Sequence, residues 1–184
     1  LAKALLENVN PIHFPIAFPE VFIREAKGFN VILGNPPWEK IMVKENEFLG
    51  RFMPGLRGLQ QKSYQKEKEK LKSSRPDLLL RFEQEKEKAD LNRNLITNSS
   101  GVTMGKGHPD LYIPFCFRFL NLSSPNGFVG VVLPRSSISA KGSEEFRKLL
   151  FQSVPSIDLT LLENTKKWIF NIHPQFTIAL ISIF

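Results

Sequence analysis

Three short apolar runs constrain this chain more than any other feature: Phe29 to Leu33, Phe128 to Pro134 ("FVGVVLP") and Phe176 to Phe184 ("FTIALISIF"). Brief, β-branched apolar runs suit strands buried on both faces, as in a parallel sheet. A fourth stretch, "IDLTLLE" from Ile157, alternates as a strand. Helical patterns lie between them. Leu111, Phe115, Phe119 and Leu122 fall on one helical face, with Asp110 as a cap and Pro114 in the first turn, where its missing donor does least harm. Ser143 can cap a helix whose Phe146, Leu149 and Leu150 face inward, with Glu144 and Glu145 at its positive end. Pro125-Asn126-Gly127 reads as a turn. Strands alternating with helices predict an α/β fold with a parallel sheet and right-handed crossovers. The last two strands are separated only by Asn164 to Gln175, so they are expected to pair antiparallel.

The remainder has another composition. Residues 39–107 are rich in Lys, Glu and Gln. Glu/Lys pairs at helical spacing predict a solvated, charged helical hairpin over roughly 56–73 and 77–96, with Asp77 as a cap. "NSSGVTMGKG" then reads as a glycine-rich loop and linker. Residues 1–28, with three prolines in "NPIHFPIAFPEVF", are expected to be an extended lead-in. The organisation expected is therefore a lead-in over 1–28 and a domain over 29–184 with a helical insertion at about 39–107. The net charge of +7 favours a polyanionic partner, most simply nucleic acid. Cys116 is the only cysteine, which excludes an intramolecular disulfide and points to a reducing, cytoplasmic setting. No apolar run has the length of a membrane span, so no membrane partner is expected. A first residue Leu1, with no charged-then-apolar leader, suggests a piece of a longer protein.

At the end of the first run stands Asn35-Pro36-Pro37-Trp38. In open α/β sheets ligands bind beyond the carboxyl ends of the strands, which makes this tetrapeptide a candidate site. A proline-rich turn with a core tryptophan is the competing reading.

"FNVILGNPPW" resembles the catalytic motif of the adenine-N6 DNA methyltransferases, which is Asn or Asp, Pro-Pro, then an aromatic residue. "GHPDLYIPFCFRFLNL", "NGFVGVVLPRSSISAKGSEEFRKLLF" and "FNIHPQFTIALISIF" are similar to the segments that follow it, in the same order. Most of 12–184 is covered, apart from the charged insertion. The likeness is greatest to the methylases of type II restriction–modification and related phage-defence systems, with the gamma-type motif order. It implies the C-terminal half of a Rossmann-like, S-adenosylmethionine-dependent fold acting on double-stranded DNA. Asn35, Pro36, Pro37 and Trp38 are then the catalytic loop. The second base-stacking position falls at His173 or Phe176, although His173 reads equally as a loop residue and Phe176 as core. Arg135, just past the second buried strand, is a phosphate contact or an ordinary solvated arginine.

The residue types suit that chemistry. Acceptors aimed at an adenine amino group, the Asn35 side-chain oxygen and the Pro36 carbonyl, would stabilise charge developing on nitrogen. Two prolines stiffen the loop, and Trp38 offers a face to an extruded base. The family usually has Asp where this chain has Asn30, a change expected to affect local structure more than chemistry. The family's glycine turn for S-adenosylmethionine has no counterpart in 1–28, so the main cofactor motif is expected in the remainder of a longer chain and the isolated fragment is expected to be inactive. Protein-glutamine methylation, which uses a similar motif, and a non-catalytic DNA-binding fragment are the alternatives.

Overall fold

The computed structural model describes residues 12–99, 110–171, 173 and 176–184. In chain order the elements are α1 (Phe14–Ala17), α2 (Pro19–Phe22), β1 (Phe29–Gly34), α3 (Glu45–Phe52), α4 (Gln61–Ser74), α5 (Pro76–Ser99), α6 (Tyr112–Leu122), β2 (Ser123–Pro134), α7 (Ser136–Ser139), α8 (Glu144–Ser153), β3 (Ile157–Glu163) and β4 (Thr177–Ile183). They fall into two compact units, Leu1–Pro36 with Phe115–Phe184, and Pro37–Pro114.

The first unit is built on a four-stranded mixed sheet of order β1-β2-β4-β3. β1 and β2 are parallel. β4 enters between β2 and β3 and runs antiparallel to both. The antiparallel pairing of the last two strands agrees with the sequence reading. β1, β2 and β3 run in the same direction, as strands alternating with helices predict, and β4, reached without a helix, runs against them. Register places Val129, Val131 and Leu133 opposite Ile183, Ile181 and Ala179, and all six are buried. On the face shared with these residues, Phe119 of α6 lies against Gly34, where a Cβ would stand 2.8 Å from its ring. Phe117 of α6 meets Phe146 of α8 edge-on, with centroids 6.0 Å apart.

Several expectations are corrected. β1 is not buried on both faces: it is the sheet's edge among the described strands, with Val31 57% and Leu33 75% exposed. Pro125-Asn126-Gly127 is not a separate turn but lies within β2. The register jumps there from Phe29↔Ser123 to Val31↔Phe128, so the segment bulges out of the ladder. Gly127 fits because a Cβ would come within 2.8 Å of the Phe29 carbonyl oxygen. The buried face of α6 runs through Ile113, Cys116 and Phe117, while Phe115 is exposed. In so apolar a helix the 3.6-residue pattern does not single out one face. Burial pushes the Cys116 thiol up to about 12, so it stays protonated and unreactive at neutral pH. Ser143 occupies the N-cap position of α8 but makes no side-chain cap hydrogen bond. Glu144 and Glu145 both pair with Lys148.

The proline-rich lead-in is helical rather than extended where it is described. Pro15 and Pro19 occupy the opening positions of α1 and α2, which require no amide donor. Phe14, Phe18 and Phe22 gather around Phe29 at the start of β1, with centroids 5.5–6.2 Å away.

The second unit holds the charged helices. Arg75 alone separates α4 from α5. Asp77 is not the cap but the second residue of α5, and the Arg75 guanidinium grips it at 2.8 and 2.9 Å, which lowers its pKa. The helices are studded with surface pairs such as Lys70–Glu67 and Lys72–Glu69. Such pairs contribute little singly. Stability comes from a small core of Phe48, Leu49, Leu56, Leu71 and Phe82. The glycines of "GVTMGKG" lie outside the described residues.

Candidate active site

β1, β2 and β3 point the same way, so their carboxyl ends and the start of β4 lie at one end of the sheet. Asn35 follows β1 directly and is exposed, and Pro36 behind it is buried. A buried, donor-free proline holds the exposed amide on a fixed stem. Pro37 is exposed and Trp38 half-buried, both in the second unit. The stretch that follows is anchored within that unit, where Leu111 N donates to the Glu39 carbonyl at 2.8 Å and Lys40 bridges Asp110.

Arg135 is the first residue past β2, exposed, and its amide donates to the Thr177 carbonyl at 2.9 Å. Thr177 in turn stands opposite Glu163. The ends of β2 and β3 and the start of β4 are therefore level. β1 stops opposite Val131, three residues short of the end of β2. Asn35 is set back from Arg135 by about 10 Å along the strands. His173 is exposed and its carbonyl accepts from Phe176 N at 3.0 Å. Phe176 is 52% exposed, which overturns its reading as a core residue. Arg135, His173 and Phe176 thus share the sheet end that carries Asn35. At the other end of β1, Asn30 is occupied structurally: its Oδ1 accepts from Arg24 Nη2 at 2.6 Å.

The sequence reading passed over the turn after β3. Asn164 is fully buried. Its Oδ1 accepts from Ile169 N and Phe170 N, both at 3.2 Å, and its Nδ2 donates to the Phe170 carbonyl at 2.9 Å. Within the loop so closed, Lys166 and Lys167 have φ of 60° and 58°, the non-glycine positive values among the described residues. Each left-handed lysine costs on the order of 1 kcal/mol. The Asn164 hydrogen bonds offset that strain. Trp168 is 67% exposed, and its Nε1 donates to the Glu163 carbonyl at 2.9 Å. The sequence signal was available: two lysines and a tryptophan just past a strand. Asn164→Ala strands two amides and a carbonyl, so we expect a loss of about 2 kcal/mol. Calorimetry should register it as a fall of about 4–8 °C in the melting of the sheet.

Residues 2–92 match the family model Eco57I restriction-modification methylase. That span includes β1 and Asn35-Pro36-Pro37-Trp38 and is just under half of the chain. It supports a restriction-modification methylase, and the α/β fold with its mixed sheet is consistent with part of a methyltransferase-like fold. No curated protein matches the chain. No helix among the described residues is long and apolar enough to cross a membrane.

Methylases of this kind imply S-adenosylmethionine. The described residues do not build a cradle for it. Of the glycines with positive φ, Gly28 precedes β1 and Gly55 lies in the second unit, so neither leads from a strand into a helix. Ser137 Oγ, in α7, is buried without a hydrogen-bond partner among the described residues, but a single enclosed hydroxyl is not a cofactor site.

Proposed function

We propose that this chain is the catalytic portion of a DNA methyltransferase acting on the N6 amino group of adenine, in restriction–modification or phage defence in the cytoplasm, with S-adenosylmethionine as the methyl donor. The observation that carries the reading is Asn35: an exposed amide at the carboxyl end of an apolar strand, followed by a buried proline, in a stretch that matches a restriction-modification methylase model. The adenine amino nitrogen is a poor nucleophile because its lone pair is delocalised into the ring. The Asn35 Oδ1 and the Pro36 carbonyl accept hydrogen bonds from its two protons. Those bonds draw the nitrogen toward tetrahedral geometry and stabilise the positive charge that develops on it. The two prolines remove backbone freedom and competing donors, so the acceptors keep their aim.

The target atom is enclosed in duplex DNA, so the base must leave the stack. In this reading Trp38 supplies one flat face, with His173 or Phe176 as the second. Both are exposed, so either face is open to a base. Arg135 is assigned to a phosphate. Trp38→Ala is expected to weaken capture of the extruded base by a factor of about 5 to 100, the worth of one aromatic stack. Trp38→Phe should keep most of it. Emission from 2-aminopurine at the target position reads both variants. If Phe and Ala behave alike, Trp38 does not stack.

Methyl incorporation into adenine-containing duplex DNA by the intact enzyme, with product nucleosides identified, tests the assignment. Methylation of a glutamine-containing protein in its place would support the alternative of protein-glutamine N5 chemistry.

A further inference from the structure

We propose that the turn after β3, Asn164 to Trp168, is a preformed nucleic-acid contact in which Lys166 and Lys167 bind phosphates and Trp168 stacks on an unpaired base beside the target. The proposal rests on the DNA-methyltransferase reading above and adds a contact to it.

Three observations carry it. The first is position. β3 ends level with β2, on the sheet end that carries Asn35, Arg135 and Phe176. A strand of nucleic acid passing over that end meets the turn without leaving the surface.

The second is charge. The segment 135–143 after β2 contains Arg135 and Lys141 and no acid, and the segment 164–171 contains Lys166 and Lys167 and no acid. Among the described residues none of these four cations is ion-paired, whereas the nearby Glu144 and Glu145 are neutralised by Lys148. β2 and β3 flank β4, so the two basic segments leave the sheet two strand spacings apart, about 10 Å. A cationic track of that breadth suits the backbone of one nucleic-acid strand.

The third is rigidity. A solvated lysine turn has no need of left-handed backbone at two successive residues, nor of a fully buried asparagine that holds the loop by three hydrogen bonds. Here the loop is fixed before any ligand arrives, so binding loses little loop entropy. Trp168 fits the same pattern. Its indole N–H is held by the Glu163 carbonyl while two thirds of its surface stays in water. A tryptophan fixed by its edge and exposed over its face is a stacking platform.

The full chain is titrated against a fluorescein-labelled duplex in which adenine and the base beside it stand unpaired in a two-base mismatch bubble, over a range of potassium chloride concentrations. Lys166→Gln with Lys167→Gln should weaken binding more than ten-fold near 0.1 M salt and make the slope of log K against log salt shallower by about two. Trp168→Ala should weaken binding about 5- to 100-fold, with Trp168→Phe recovering most of it. The chain has 2 tryptophans, so in a Trp38→Phe background Trp168 is the sole emitter, and its fluorescence should be quenched by the duplex. If the wild-type chain binds DNA with a normal salt slope while the loop variants match it and Trp168 emission does not move, the turn is not a contact and the methyltransferase reading stands. If the wild-type chain binds no DNA under any salt, both are overturned.

Discussion

Asn35→Ala in the intact enzyme is expected to reduce methyl transfer at least about 100-fold while DNA affinity changes little. The two quantities separate because they come from different groups. Affinity for DNA comes mainly from neutralised phosphates. In the proposed mechanism the Asn35 amide acts only where charge develops on the adenine nitrogen, and removing one preorganised group of that kind costs about 10²–10³ in rate. Structure should be spared, since Asn35 is exposed and the buried stem residue is Pro36. Asn35→Asp is the informative companion, because it keeps an acceptor oxygen and should retain more activity than Ala. Single-turnover methylation, with binding measured in parallel, decides the matter. Near-normal turnover by Asn35→Ala would remove the residue from the mechanism.

The second large effect concerns β1. The isolated 184-residue chain is expected to self-associate at micromolar concentration, and Leu33→Lys to weaken that association more than ten-fold. An edge strand with free amides and carbonyls is a template for another strand. Val31 and Leu33 make this edge adhesive, and by register they share a face with Phe128 and Gly130 of β2. Covering one such side chain contributes about 1.5–3 kcal/mol, and a lysine at the edge removes that gain and adds repulsion between copies. The substitution should leave the folded chain within about 0.5 kcal/mol of its starting stability, because Leu33 is already largely in water. Light scattering after size exclusion, with a concentration series, measures both chains. A monomeric wild type would show that this edge is not adhesive.

What the sequence determined by itself was local or additive. Apolar runs and alternation of strand length located β1 to β4 to within a residue or two, apart from the start of β2, and Glu/Lys spacing located α5 and all of α4 but its start, which lies five residues later than expected. Asn35-Pro36-Pro37-Trp38 could be proposed as a site from the sequence because the chemistry proposed for it needs only adjacent residues. Tertiary structure alone decided three things. It set the strand order, which put β4 between β2 and β3 because register and twist, not composition, choose neighbours. It decided which apolar residues are buried: Leu33 and Phe176 look like core in the sequence but lie where no described element covers them. And it gave the turn after β3 its form. No propensity places two lysines at positive φ; only a buried Asn164, held by three hydrogen bonds to Ile169 and Phe170, sustains a conformation the residues themselves disfavour.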